Sequence, residues 1–208
     1  MNENNILGVI LAGGKSKRFG EDKSLKKLGK YTLLEHTVLK IEKFFSEILI
    51  ISNNSELKFK QKNIFIIDDY IKGNLGPLVG VLSAMKWIKK NGKKYEWILT
   101  FPCDTPYFDR KVISELINEK NKGEHKLFFI KNNDKRHNIF GLWSLNLIDI
   151  LEKDIKNNYR KVELWADKIG SKIINISDNG NENFLNINTI EDLQKAEKIL
   201  KKKHHDFL

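Results

Sequence analysis

Four cations and three glycines are packed into Leu11-Ala12-Gly13-Gly14-Lys15-Ser16-Lys17-Arg18-Phe19-Gly20-Glu21-Asp22-Lys23. That mixture suits a polyphosphate, because glycine lets backbone N–H groups approach an anion closely and lysine or arginine neutralises it. The spacing is neither G-x-G-x-x-G nor the P-loop pattern G-x-x-x-x-G-K-[ST]. Two further places carry carboxylates that could bind a cation, Asp68-Asp69 and Asp104. Mg²⁺ takes hard oxygen ligands, commonly one or two protein carboxylates with water and phosphate oxygens completing the shell. Asp104 is the stronger candidate, since Pro102 and Pro106 stiffen the chain on either side of it and preset its direction. Transfer of a phosphoryl or nucleotidyl group needs positioning and charge neutralisation more than covalent help. An ionised phosphate acceptor demands no general base, and none of the five histidines has an evident partner for that role. Cys103 reads as a small buried packing residue, with no histidine or acid assigned to activate it.

These groups need elements to hold them. Ile6–Ile10 is a short apolar run that reads as a buried strand delivering the glycine loop at its end. Thr32-Leu33-Leu34-Glu35 is a capping box opening a helix with Leu34, Val38, Ile41 and Phe45 inward. Strands follow over Glu47–Ser52 and Ile64–Ile67, the latter ending in Asp68-Asp69. Pro77 starts a helix that runs from about Leu78 to Lys90. Trp97–Phe101 is a fourth strand, halted at Pro102, and a helix from about Arg110 to Lys120 comes next. His125–Ile130 and Asn138–Trp143 read as a hairpin. Leu145–Leu151 and Val162–Ile169 read as helical, Lys172–Ile176 as a strand, and about Thr189–Lys202 as a last helix before a tail that should fray. Alternating strands and helices predict a doubly wound, mostly parallel α/β sheet, with ligand groups gathered at the carboxyl ends of its strands.

Length and composition set outer bounds. The 208 residues suit a single domain spanning the whole chain. No apolar run reaches the roughly 20 residues that span a bilayer, and the first residues lack a signal-peptide pattern. One cysteine cannot form an internal disulfide, so a cytoplasmic protein with no membrane association is expected. The net charge of +10 favours anionic partners. Nucleic acid is not the expected one, because the lysines are scattered and no basic run is interleaved with aromatics.

The glycine loop, Gly76-Pro77-Leu78-Val79-Gly80 and Pro102-Cys103-Asp104-Thr105-Pro106 together resemble the molybdenum cofactor guanylyltransferase family, and Asn186-Ile187-Asn188-Thr189 resembles its closing motif. The resemblance implies a Rossmann-like three-layer α/β sandwich of the glycosyltransferase-A-like nucleotidyltransferase type. It implies an enzyme that uses GTP with Mg²⁺ and joins GMP to the terminal phosphate of molybdenum-bearing molybdopterin, releasing pyrophosphate. Delivery chaperones or recipient molybdoenzymes are the implied partners. Carried over by position, Leu11, Ala12, Gly13, Gly14, Lys23, Ser52, Asp69 and Asp104 would bind the nucleotide, with Asp104 on the metal. Lys23, Asp104 and Arg18 would act on the phosphates, Arg18 and Lys15 being assigned to the leaving pyrophosphate by their charge and place. Gly76, Pro77, Gly80, His137, Asn186 and Asn188 would face the acceptor.

Three departures stand out. Ser52, followed by Asn53-Asn54, replaces the asparagine with which the family helps read guanine, so the base contact is expected to have moved or weakened. His137-Asn138 replaces His-Pro, which affects the shape of the acceptor pocket. Thr189-Ile190 lacks the proline expected after the threonine, which alters how the last helix starts. The competing readings are a related transferase using CTP or another phosphorylated acceptor, a non-catalytic nucleotide-binding regulator of the same fold, and a nucleic-acid-binding module.

Overall fold

The structure, a computed structural model, describes residues 5–13, 22–73, 75–176 and 183–205, with only the backbone course taken for 202–205. In chain order the strands and helices are β1 (Ile6–Leu11), β2 (Lys27–Leu28), β3 (Tyr31–Thr32), α1 (Leu33–Ile41), β4 (Ile48–Ile51), β5 (Ile64–Ile67), α2 (Pro77–Lys90), β6 (Trp97–Pro102), α3 (Lys111–Lys120), β7 (Leu127–Asn132), β8 (Lys135–Ser144), α4 (Ile148–Lys156), α5 (Val162–Ile169), β9 (Lys172–Asn175) and α6 (Ile190–His205). Seven strands make one sheet in the order β5-β4-β1-β6-β8-β7-β9. The pairs β4–β5, β1–β4, β1–β6 and β7–β9 are parallel, and β8 alone runs against its neighbours β6 and β7. The expected mostly parallel sheet with a hairpin is therefore present.

Strand alternation builds the layers. In β1 the side chains of Ile6 and Ile10 join α1 and α3 in one apolar cluster, which includes Leu34, Val38, Val112, Ile113 and Leu116. Leu7 and Val9 point the other way, into a cluster with Val81, Leu82 and Met85 of α2 and Leu151 and Trp165 of α4 and α5. Residues two apart on a strand share a face, so one continuous apolar run serves two cores. A third cluster, Leu28, Leu33, Tyr107, Ile187 and Ala196, fastens α6 beside the small β2–β3 ribbon.

Helix ends follow local chemistry. Thr32 and Glu35 form the reciprocal capping box that opens α1. Pro77 occupies the first turn of α2, behind Gly76 at a φ of 97°, where a side chain would be strained. Without a proline after Thr189, α6 starts on a second capping arrangement: Thr189 Oγ1 accepts from Asp192 N–H at 3.1 Å, and Asp192 Oδ2 accepts from the N–H groups of Asn188 and Thr189 at 3.0 Å. Among the described residues no helix is long and apolar enough to cross a membrane.

Candidate active site

Parallel α/β sheets bind ligands outside the carboxyl ends of their strands, where successive connections leave in opposite directions. Here that place lies between β1, whose chain turns off towards β4, and β6, which arrives on its other side. A cleft of about 1010 Å³ opens there. Its walls bring together Leu11, Ala12 and Gly13 after β1, Lys23, Asp69 after β5, Asp104 after β6, Gly76, Pro77 and Gly80 of α2, His137 of β8, and Asn186 and Asn188 before α6. Gly14 and Arg18 lie outside the described residues, as does Lys15.

Asp104 and Lys23 form the centre. Lys23 stands in a 3₁₀ turn, Lys23–Leu25, capped by Asp22, whose Oδ1 accepts from Ser24 N–H at 3.0 Å. Its ammonium donates to Asp104 Oδ2 at 2.6 Å and to Asn188 Oδ1 at 2.7 Å, with both ends of the ion pair about one-fifth exposed. Asp104 Oδ1 also accepts from Thr105 Oγ1–H at 3.1 Å. The backbone closes the same junction, since Ile187 N–H donates to Asp104 C=O at 2.8 Å. A carboxylate and an amide oxygen thus already converge on a cation. That hard-oxygen pair fits Mg²⁺, which needs few protein ligands when phosphate oxygens and water supply the remainder.

Among the described residues, Ser52 is the predicted site residue that does not line the cleft. Its N–H continues the ladder to Ile67 C=O, its side chain is buried, and its hydroxyl accepts from Asn54 N–H at 3.2 Å. The next residue does reach the site. Asn53 Nδ2–H donates to Asp69 Oδ2 at 2.8 Å, and Asn53 Oδ1 accepts from Asp69 N–H at 3.0 Å. Burial pushes the Asp69 carboxyl above its ordinary range against the opposing Asn53 hydrogen bond, with Asp68 adding a smaller push in the same direction.

On the opposite wall His137 lies 4.4 Å from Phe184 between ring centroids, and desolvation, aided by Lys135, holds its imidazole down at about 4. It is neutral at physiological pH. Burial, reinforced by Asp104, pushes the Cys103 thiol up to about 12, which fits packing rather than nucleophilic attack. Lys135, Arg136, Arg160 and Lys161 also line the cleft and were not anticipated. The pair Arg160-Lys161, two cations directly ahead of a helix, was the signal available. Arg136 is a brace: Nη1 reaches Asp167 at 2.7 Å, Nη2 donates to Glu163 C=O at 2.9 Å, and Nε donates to Asn138 Oδ1 at 2.5 Å. Asn138, which stands where proline was expected, is thereby held by its side chain.

A mostly parallel sheet with this cleft at its switch point is an α/β nucleotidyltransferase fold. Residues 8–167 match the family model of the MobA-like NTP transferase domain, and the chain belongs to that family. It is 31% identical to the molybdenum cofactor guanylyltransferase of Shewanella putrefaciens, over 91% of this chain and 95% of that protein. With the Nitrobacter hamburgensis protein of the same name it shares 27% over 92% and 93%. Among solved structures, molybdopterin-guanine dinucleotide biosynthesis protein A from Archaeoglobus fulgidus superposes with a TM-score of 0.76 at 22% identity, covering 94% of this chain and 99% of that one. The 2-C-methyl-D-erythritol 4-phosphate cytidylyltransferase of Francisella tularensis gives 0.68 at 17%, covering 94% and 99%. These two likenesses concern the fold.

Proposed function

We propose that this chain is a molybdenum cofactor guanylyltransferase. A terminal phosphate oxygen of molybdenum-bearing molybdopterin attacks the α-phosphorus of GTP. The bond from that phosphorus to the bridging oxygen of the β-phosphate breaks, and pyrophosphate leaves. The observation that carries this reading is the contact of Lys23 with Asp104 and Asn188 in a cleft lined by glycines, a further carboxylate and several cations. The glycine-lined floor and Asp69 share the cleft with Lys135, Arg160 and Lys161. The glycines suit a nucleotide, and the cations suit an anionic pterin phosphate. Relatives named for the same activity support the assignment.

In this reading Leu11, Ala12, Gly13 and Gly14 hold the nucleotide through backbone groups, and Lys23 turns from its resting partners to the phosphates. Asp104, with Asn188 beside it, would hold Mg²⁺, which supplies neutralisation of the charge growing on the phosphate oxygens. Arg18 receives the leaving pyrophosphate. Gly76 and Pro77 border the acceptor, while Gly80, whose added Cβ would meet Leu11 at 3.0 Å and Asp69 at 3.8 Å, belongs with the nucleotide. His137 stays neutral and shapes the acceptor wall beside Phe184, with Asn186 lining the same cleft. The whole chain works as one domain in the cytoplasm, and its product passes to molybdoenzymes directly or through delivery chaperones.

Pyrophosphate release measured with GTP, Mg²⁺ and metal-loaded molybdopterin tests the assignment. Asp104→Ala is expected to lower the rate by about a hundredfold or more, the scale of losing a major electrostatic group, with its melting temperature little changed. Wild-type protein that releases pyrophosphate from CTP and not from GTP would sink the guanylyl reading.

A further inference from the structure

The sheet ends on β5 at one side and on β9 at the other, and no strand lies beyond either among the described residues. An open edge invites pairing with another chain unless charge, proline or a bulge blunts it. β9, Lys172-Ile173-Ile174-Asn175, carries exposed polar residues at both ends. β5, Ile64-Phe65-Ile66-Ile67, carries none, and all four of its residues are partly exposed although β4 beside it is buried.

Alternation along the ladder shows what this edge offers. Ile48 N–H donates to Asn63 C=O and Ser52 N–H to Ile67 C=O, both at 2.9 Å, so the odd-numbered residues of the stretch bond to β4. The even-numbered ones face outward. Ile64 N–H is taken by Gln61 C=O at 3.3 Å, which leaves Ile64 C=O and both main-chain groups of Ile66 along the rim. Apolar surface flanks that rim on both faces of the sheet. Phe59, Ile64 and Ile66 are partly buried against one cluster, and Phe65 and Trp87 against the other, their rings 5.1 Å apart.

Charge selects the occupant. The exposed cations Lys58, Lys60 and Lys62 precede β5, and the exposed Asp68 follows it. A strand with a positive start and a negative end is complementary to a reversed copy of itself, the arrangement a twofold axis produces. We propose that β5 is the interface of a homodimer, in which two copies pair antiparallel about Phe65 and their sheets become one. In that register Ile66 N–H donates to Ile64 C=O of the second copy. Lys62 stands opposite Asp68 of the second copy, twice over by symmetry. Centring the pair on Ile66 instead would set Lys62 against Tyr70 and Asp68 against Ile64, forfeiting both ion pairs. None of this depends on the GTP reading.

Sedimentation equilibrium on the whole protein, from about 1 to 100 µM, tests it. Wild type should pass from monomer towards dimer across that range. Asp68→Lys and Lys62→Glu should each weaken dimerisation about tenfold, because each turns two attractive cross-strand pairs into repulsive ones. Combining them should restore it to within about threefold of wild type. Lys62 and Asp68 sit at opposite ends of β5, so this rescue cannot arise inside one chain. Ile66→Pro, which removes an outward N–H and no bond to β4, should give a folded monomer by circular dichroism and sedimentation. Wild type that stays monomeric throughout, or a dimer indifferent to both charge reversals, overturns the proposal. So does a double variant no better than the single ones, or an Ile66→Pro protein that folds and still dimerises. If Ile66→Pro fails to fold, the charge reversals decide the matter.

Discussion

Lys23 and Asp104 lie 81 residues apart in sequence and 2.6 Å apart in space, which shows why single residues were legible to different degrees. Asp104 could be singled out because two prolines and a buried strand constrain its direction whatever the rest of the chain does. Ser52 could not be placed, because at a strand end a shift of one residue exchanges the two faces of the sheet. Its neighbour Asn53 received the site contact instead. His137 illustrates a third case: the residue was identifiable as a wall of the cleft, but its charge depends on burial that only the fold supplies. Its imidazole titrates at about 4 rather than its ordinary value of 6.5. Between those two values the unfolded chain binds the extra proton, so this group's contribution to stability is complete above 6.5 and is lost as pH falls towards 4. His137→Gln should therefore show a shallower fall of melting temperature than wild type from pH 7 to about 4.5, measured by circular dichroism. Equal slopes would place the titration elsewhere.

Elements with a strong period or an explicit cap were readable. The boundaries of β5 and α5 match expectation, the Thr32 capping box is present, and α2 opens on its proline. The β2–β3 ribbon was missed because strands of two residues are too short to show alternation. The antiparallel hairpin holds its own constraint at Gly141, where an added Cβ would meet Phe129 Cε1 at 2.6 Å and Trp143 Nε1 at 2.7 Å. Gly141→Ala should cost about 1–3 kcal/mol by overpacking, read by chemical denaturation. Nearby, Thr100 Oγ1 accepts from Trp143 Nε1–H at 2.9 Å and donates to Ile139 C=O at 2.6 Å. Thr100→Val keeps the shape and strands a buried indole N–H, so a loss of about 1–3 kcal/mol is expected. Together these measurements distinguish shape from hydrogen bonding in the sheet that carries His137.

For the whole molecule, the three-layer arrangement was readable from the alternation of apolar runs with amphipathic helices, whereas the gathering of cations at the cleft was not. A net charge of +10 says little about place. Only folding brings Lys135, Arg160 and Lys161 into one cleft with Asp69. The affinity for the anionic acceptor should fall as salt rises, since the screening length shrinks from about 10 Å at 0.1 M to about 3 Å at 1 M. Acceptor KM measured at rising ionic strength should increase severalfold while kcat stays near constant; a KM indifferent to salt would count against the cationic wall as the acceptor's dock. The segment before α6 has a consequence in time. Phe184 N–H binds Tyr107 C=O at 2.6 Å, Ile187 N–H binds Asp104 C=O, and Asn188 holds Lys23, although the family match ends at residue 167. A ribosome makes the chain from its amino end at about 5–20 residues per second, so the sheet strands are all synthesised before the segment that completes the centre of the cleft. A released chain ending just after β9 should therefore carry every strand of the sheet and yet lack Asn188 and the backbone bonds that close the cleft's centre.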